Sequence, residues 1–144
     1  MSQSRSRVVL LSLGVLLVAC LFNVPLYAKY SGGTGEPNNP YQIATAADLI
    51  ALGNEPNDYA KHFILTADID LDPNLPGRKV FDRAVIAPDV NTTDWWYEGT
   101  PFTGVFDGND HTISHLTIVG ANFLGLFAIV GKGAQTAPDA GIRN

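Results

Sequence analysis

Apolar and polar positions follow three different rhythms along this chain, and each predicts a different element. The first is unbroken: Val8 to Ala19 is apolar but for Ser12 and Gly14, and it follows the basic flank Ser4-Arg5-Ser6-Arg7. A basic flank before an apolar core of this length is the layout of an export signal. The second rhythm is helical. Thr45-Ala46-Ala47-Asp48 puts a capping hydroxyl three residues ahead of an acid, Leu49, Ile50 and Leu52 supply one apolar face, and Gly53 stops the turn, which predicts a short helix over Ala46–Leu52. The third is alternation. His62-Phe63-Ile64-Leu65-Thr66-Ala67-Asp68-Ile69-Asp70-Leu71-Asp72 passes from a continuous apolar stretch to strict apolar–polar alternation, which predicts strand bent near Thr66. A further short strand begins at Asn39-Pro40-Tyr41-Gln42-Ile43.

The export segment has three readings. Cleavage after Ala28, behind the small residue of Leu26-Tyr27-Ala28, is preferred. Leu17-Val18-Ala19-Cys20 also resembles a bacterial lipobox, which would lipidate Cys20 and anchor the protein there. An uncleaved anchor is the third, since the 21 residues Val8–Ala28 nearly suffice to span a bilayer core, although Asn23 and Pro25 interrupt them. The expected location is extracellular or at the cell surface, with membrane contact only through this segment.

Between Tyr30 and Pro40, residues Gly32, Gly33, Gly35, Pro37 and Pro40 punctuate an extended lead-in. Asp72–Asn91 is rich in Pro and polar residues, and Asn91–Pro101 carries Trp95, Trp96 and Tyr97. This reads as a long excursion with its aromatics folded back over the core. Beyond it, Phe102-Thr103-Gly104-Val105-Phe106 recurs 21 residues later as Phe123-Leu124-Gly125-Leu126-Phe127, a period that fits one coil of a parallel β-solenoid. A looser echo returns Ile113-Ser114-His115 as Ile142-Arg143-Asn144, with the extra length in Gln135–Asp139. Within Thr112–Ile118 the apolar phase slips by one at His115, so a bend there with positive φ would restore an inward Ile113-Leu116-Ile118 row. The expected organisation is an export segment over 1–28, a cap over 29–101, and first solenoid coils over 102–144 that stop at the start of a new coil, as in a truncated chain.

Phe102-x-Gly-x-Phe-Asp-Gly-Asn-x-His-Thr-Ile-Ser-x-Leu-Thr-Ile118, with Gly125-Leu126-Phe127 and Gly141-Ile142-Arg143-Asn144, resembles the GLUG-repeat proteins, which are secreted or surface bacterial proteins. The lead-in to Ile43, the helix and Phe63–Leu71 resemble the capping region that precedes such repeats. The resemblance implies a mainly β fold, the start of a right-handed parallel β-helix with one short helix. Its structural positions would be Phe102, Gly104, Phe106, Asp107, Gly108, His111, Ile113, Leu116, Ile118, Gly125, Leu126 and Phe127. His115 stands where the repeat commonly has Asn, and Ala128 follows Phe127 where it commonly has Gly. These repeats occur in adhesin-like proteins, in a bacterial peptidase family and beside polysaccharide-degrading modules, so the resemblance carries architecture and no particular activity.

Charge and composition narrow the chemistry. Setting aside Arg5 and Arg7 leaves 7 of the 9 basic residues against all 14 acidic ones, a net charge of −7, which argues against a nucleic-acid partner. A single Cys rules out an intramolecular disulfide framework and a Cys-based zinc site. Asp68, Asp70 and Asp72 would share one strand face and offer oxygen ligands to Ca²⁺. However, an EF-hand loop needs Gly and Glu where this chain has Pro73 and Lys79, so a solvated face with Asp72 opening the Pro73-Asn74 turn is favoured. Asp107-Gly108-Asn109-Asp110-His111 holds two acids and a His, as sugar cleavage requires, but Asp-Gly-Asn between apolar runs is first a turn in which Asp107 bonds backbone amides. His111 and His115 lack the Glu of a helical zinc-peptidase motif. Trp95, Trp96 and Tyr97 offer flat faces on which sugar rings stack. No catalytic or cofactor-binding residue is assigned, Ca²⁺ is the one ion considered, and the expected partners are polysaccharide or cell-surface components. The expected function is an exported, non-enzymatic scaffold or adhesion segment. The alternatives are the front end of a larger polysaccharide-degrading enzyme or peptidase, and a carbohydrate-binding module.

Overall fold

The computed structural model describes residues 28–131 and 141–143; the export segment with its lipobox, the loop Gln135–Asp139 and Asn144 lie outside the described residues. Helix α1 (Ala46–Gly53) forms where the capping chemistry asks for it: the Asp48 amide donates to Thr45 Oγ1 at 3.1 Å and the Thr45 amide to Asp48 Oδ2 at 3.0 Å, a reciprocal capping box. Asp48 also accepts from Ser31 Oγ at 2.6 Å, which ties the lead-in to the helix. Leu49 and Leu52 are fully buried.

The strands are short. β1 (Tyr41–Ile43) and β2 (His62–Leu65) pair in parallel; β3 (Ile69–Asp70) follows after the break at Thr66; β4 (Val105–Asp107), β5 (Ile113–Ser114) and β6 (Gly141–Arg143) complete the set. The order β1-β2-β4-β6 makes one four-stranded parallel sheet, and β3-β5 a separate two-stranded parallel one. The outer edge of β1 is covered by the lead-in, with Ser31 donating to the Gln42 carbonyl and Gln42 to that of Gly32. Phe63, Phe102 and Phe106 are buried among Ile43, Leu65, Ile69 and Ile86, and Phe127 meets Phe102 and Phe106 edge-on at 5.1 and 5.4 Å.

This arrangement corrects the expected right-handed parallel β-helix. Among the described residues regular strand is confined to two separate small sheets, with no strand longer than four residues. Elsewhere among the described residues parallel pairing is limited to the isolated bridges Phe81–Ile118, Ile86–Phe127 and Phe102–Val130. The 21-residue repeat is not a stacking period. Phe106 sits in register with Phe63 and Ile142, whereas Phe127 pairs with Ile86. The echo of Ile113 in Ile142 fails in the same way, since Ile113 pairs with Ile69. Successive partners in the larger sheet, Tyr41, Phe63, Phe106 and Ile142, lie 22, 43 and 36 residues apart, so no constant repeat length governs what stacks on what. Similar apolar-Gly-apolar segments therefore serve different neighbours and meet across the core.

Local features of the repeat-like segment follow its chemistry closely. His115 has φ 55°, and Ile113, Leu116, Ile118, Leu126 and Phe127 all pack against the core. Asp107 Oδ1 accepts the Asn109 amide at 2.9 Å, and Asn109 Nδ2 donates to the Leu65 carbonyl at 3.1 Å, fastening the turn to β2. Gly104 lies so close to β2 that a Cβ there would collide with the Lys61 carbonyl, while its own amide donates to Tyr59 O at 2.7 Å.

Candidate functional site

The most distinctive surface feature is the loop between Ala87 and Pro101, and its backbone is held by short acidic and amide side chains. Asp89, 1% exposed, accepts the Asn91 amide at 3.3 Å and the Glu98 amide at 3.0 Å through Oδ1, so one carboxylate grips both limbs. Asn91 Oδ1 accepts from the amide and hydroxyl of Thr93, and Asn91 Nδ2 donates to Asp94 Oδ2 at 2.9 Å. Asp94 Oδ1 accepts the Trp96 amide at 3.0 Å, and its carbonyl takes a hydrogen bond from Asn122 Nδ2. Asp89 to Asn91, Asn91 to Thr93 and Asp94 to Trp96 each join a side-chain oxygen to the backbone amide two residues on, the geometry these residues favour in turns. Tyr97 closes the loop: its hydroxyl donates to the Ala87 carbonyl at 3.0 Å and its ring meets Phe123 edge-on at 5.5 Å. Burial pushes the Tyr97 hydroxyl pKa up to about 12.

This braced backbone displays Trp95 and Trp96, which are 84% and 77% exposed. The expectation that the three aromatics fold back over the core is thus corrected: only Tyr97 does so. The physical reason is that the loop satisfies its polar backbone internally and needs no aromatic cover to hold its shape. Asp89 escaped the sequence reading, although the spacing Asp89-x-Asn91 and Asp94-x-Trp96 carries its signal. Its second carboxylate oxygen is buried without a hydrogen-bond partner.

The carboxylates considered for Ca²⁺ do not converge. Asp68 accepts the Thr112 amide at 2.8 Å and faces His111 Nδ1 at 3.3 Å; Asp70 accepts the Asp72 amide at 2.9 Å and faces His115 Nδ1 at 2.8 Å; Asp72 caps Asn74. Among the described residues no group of three or more His, Cys, Asp or Glu side chains is placed to hold a metal ion. The amides of Thr112 and Asp72, and after them the two imidazoles, hold the Asp68 and Asp70 carboxyls below their ordinary range, and Asp70 raises the pKa of His115. His111 Nδ1 thus faces Asp68, while Asp107 Oδ1 accepts the Asn109 amide of its own turn. Gly104, Gly108 and Gly125 are positions of chain geometry: Gly108 accepts the His111 amide, and Gly125 accepts that of Val85.

Over 104 residues the chain is 39% identical to the protein named Halomucin from Haloquadratum walsbyi, an alignment that takes in 71% of this chain and 1% of that protein. Over 109 residues it is 33% identical to the "Putative Gly-rich membrane protein" of Evansella cellulosilytica, covering 72% of this chain and 11% of the relative. The chain therefore spans a small fraction of the length of these relatives. No family model and no solved structure matches it. The two names suggest a protein associated with the cell surface or a membrane. Among the described residues no helix is long and apolar enough to cross a membrane.

Proposed function

We propose that the protein is an exported, non-enzymatic module of the cell surface that adheres to polysaccharide through Trp95 and Trp96. The carrying observation is two tryptophans left 84% and 77% exposed on a loop whose backbone is already hydrogen-bonded in place. Large aromatic faces left in water are costly unless a partner covers them. Sugar rings, with apolar C–H faces and polar edges, match an indole that offers a flat face and one N–H donor. A loop ordered before binding also avoids the entropy of ordering it on contact. The export-signal pattern and the resemblance to GLUG-repeat proteins support the location; the names of the two relatives agree with it.

Covering about 100 Å² of each ring at about 25 cal/mol/Å² contributes about 2.5 kcal/mol, or roughly 60-fold in affinity per ring. The test is affinity electrophoresis of the full chain through gels containing soluble polysaccharides. Trp95→Ala and Trp96→Ala should each weaken retardation by tens of fold with unchanged circular dichroism, and the double substitution should abolish it. Retardation that survives both substitutions, or no retardation of the parent protein, would overturn the reading.

A further inference from the structure

A second feature lies at the foot of the tryptophan loop. A cavity of about 340 Å³ opens between the C-terminal end of α1 and the segment Lys79–Pro88, lined by Gly53, Asn54, Lys79, Phe81, Arg83 and Pro88 among others. That volume is at the lower end of the range of about 300–1,000 Å³ in which small ligands are held. A smaller cavity of about 140 Å³ shares Gly53, Asn54 and Pro88 and reaches Val90 and Thr100, on the two limbs of the loop. The two adjoin as one groove.

Its charge is opposite to that of the chain. Outside the export segment acidic residues outnumber basic ones two to one, yet the ionisable side chains lining the larger cavity are Lys79, Arg83 and Asp82. Arg83 is committed to Asp82, with Nε–Oδ1 3.1 Å and Nη2–Oδ2 3.2 Å. Lys29 and Lys61 are likewise held by carboxylates, Lys29 by Glu55 and Asp58 and Lys61 by Glu36. Lys79 meets no carboxylate among the described residues. Instead its Nζ lies 5.3 Å from the centroid of Phe81, a cation–π contact that positions the ammonium, and with Asp82 already paired to Arg83 the lining keeps one positive charge in excess. Beside it, Asn54 spends its Nδ2 on the Ile50 carbonyl at 3.0 Å, which leaves Oδ1 to accept from a hydroxyl.

We infer that this groove is a subsite for an acidic sugar, with the Lys79 ammonium meeting a carboxylate or sulfate group and Asn54 a neighbouring hydroxyl. The inference rests on the polysaccharide reading of the tryptophan loop and narrows it to chains that carry isolated acidic groups. A single positive charge in excess suits a substituent on one sugar ring; it does not suit a densely charged backbone such as nucleic acid, which demands many.

Affinity electrophoresis of the full chain in dextran, dextran sulfate and alginate separates the outcomes. Dextran and its sulfate share a backbone, and alginate supplies carboxylates. The expected result is at least tenfold stronger retardation in one of the acidic polymers than in dextran, the polymer identifying which group is bound. Lys79→Gln should bring that retardation down to the dextran value, whereas Lys61→Gln, a control for bulk charge, should leave it alone. Equal retardation in all three gels that Trp95→Ala and Trp96→Ala abolish would overturn this inference and leave the polysaccharide reading standing. An acid preference that survives Lys79→Gln would also overturn it. No retardation in any gel would overturn both.

Discussion

Replacing Asp89 with alanine separates a loop that is braced in advance from one that acquires its shape on binding. The side chain is 1% exposed and its Oδ1 accepts two amide hydrogens, from Asn91 at 3.3 Å and Glu98 at 3.0 Å. Hydrogen bonds of this kind are worth roughly 1–2 kcal/mol each, and the two donors lose their partner together. Asp89→Ala should therefore favour local opening of the loop by about 3 kcal/mol, on the order of a hundredfold. Asp89→Asn keeps Oδ1 and should cost much less. Hydrogen exchange at the Glu98 and Asn91 amides reads the opening directly, because local unfolding sets their protection. Trp95 and Trp96 are the only tryptophans in the chain, so fluorescence anisotropy reports on the same loop. The alanine variant should show faster exchange at these two amides, lower anisotropy and weaker polysaccharide retention, while α1 keeps its protection. Unchanged exchange at Glu98 would refute the argument that Asp89 holds the limbs together. Faster exchange with undiminished retention would refute the argument that bracing serves binding.

Two further predictions concern the scaffold. Gly104→Ala forces a Cβ against the Lys61 carbonyl, so it should destabilise the fold by about 1–3 kcal/mol, read as a lower urea midpoint; Gly141→Ala, which meets open space, should leave that midpoint unchanged. The Asp70–His115 pair should make stability depend weakly on pH. His115 is raised above its ordinary 6.5, so its contribution is complete below that value and is lost as pH rises through the folded pKa; Asp70 is lowered below 3.8, so its contribution is present above that value and is lost as pH falls through the folded pKa. The pair thus stabilises most between the two values. Melting temperature should be slightly higher at pH 5.5 than at pH 8, and Asp70→Asn should remove that difference; an unchanged difference in the variant would contradict the assignment.

What could be read from the chain was whatever local chemistry decides. Thr45 and Asp48 announce α1 because a capping box needs only neighbours, and the observed helix runs one residue past the predicted end to Gly53. The phase slip at His115 announces its positive φ, and Asp107-Gly108-Asn109 its turn. Pairing is another matter. The Phe102–Phe106 and Phe123–Phe127 segments look alike, yet their partners are chosen by connections of unequal length, so the apparent period misdirects the topology. Asp68 and Asp70 look like a shared carboxylate face until the chain brings His111 and His115 to them from more than 40 residues away. Hydrophobicity alone would fold Trp95 and Trp96 back over the core, and the internal hydrogen bonding of their loop lets them stand exposed instead.

The most direct test of polysaccharide binding by the tryptophan loop is a titration of the ¹⁵N-labelled full chain with soluble polysaccharide, following the two indole N–H resonances. Both indoles should shift saturably, together with the amides of Glu98 and Tyr97, while β1 and α1 stay in place. Binding that moves resonances elsewhere and leaves both indoles untouched, or no shift in any resonance, would contradict it.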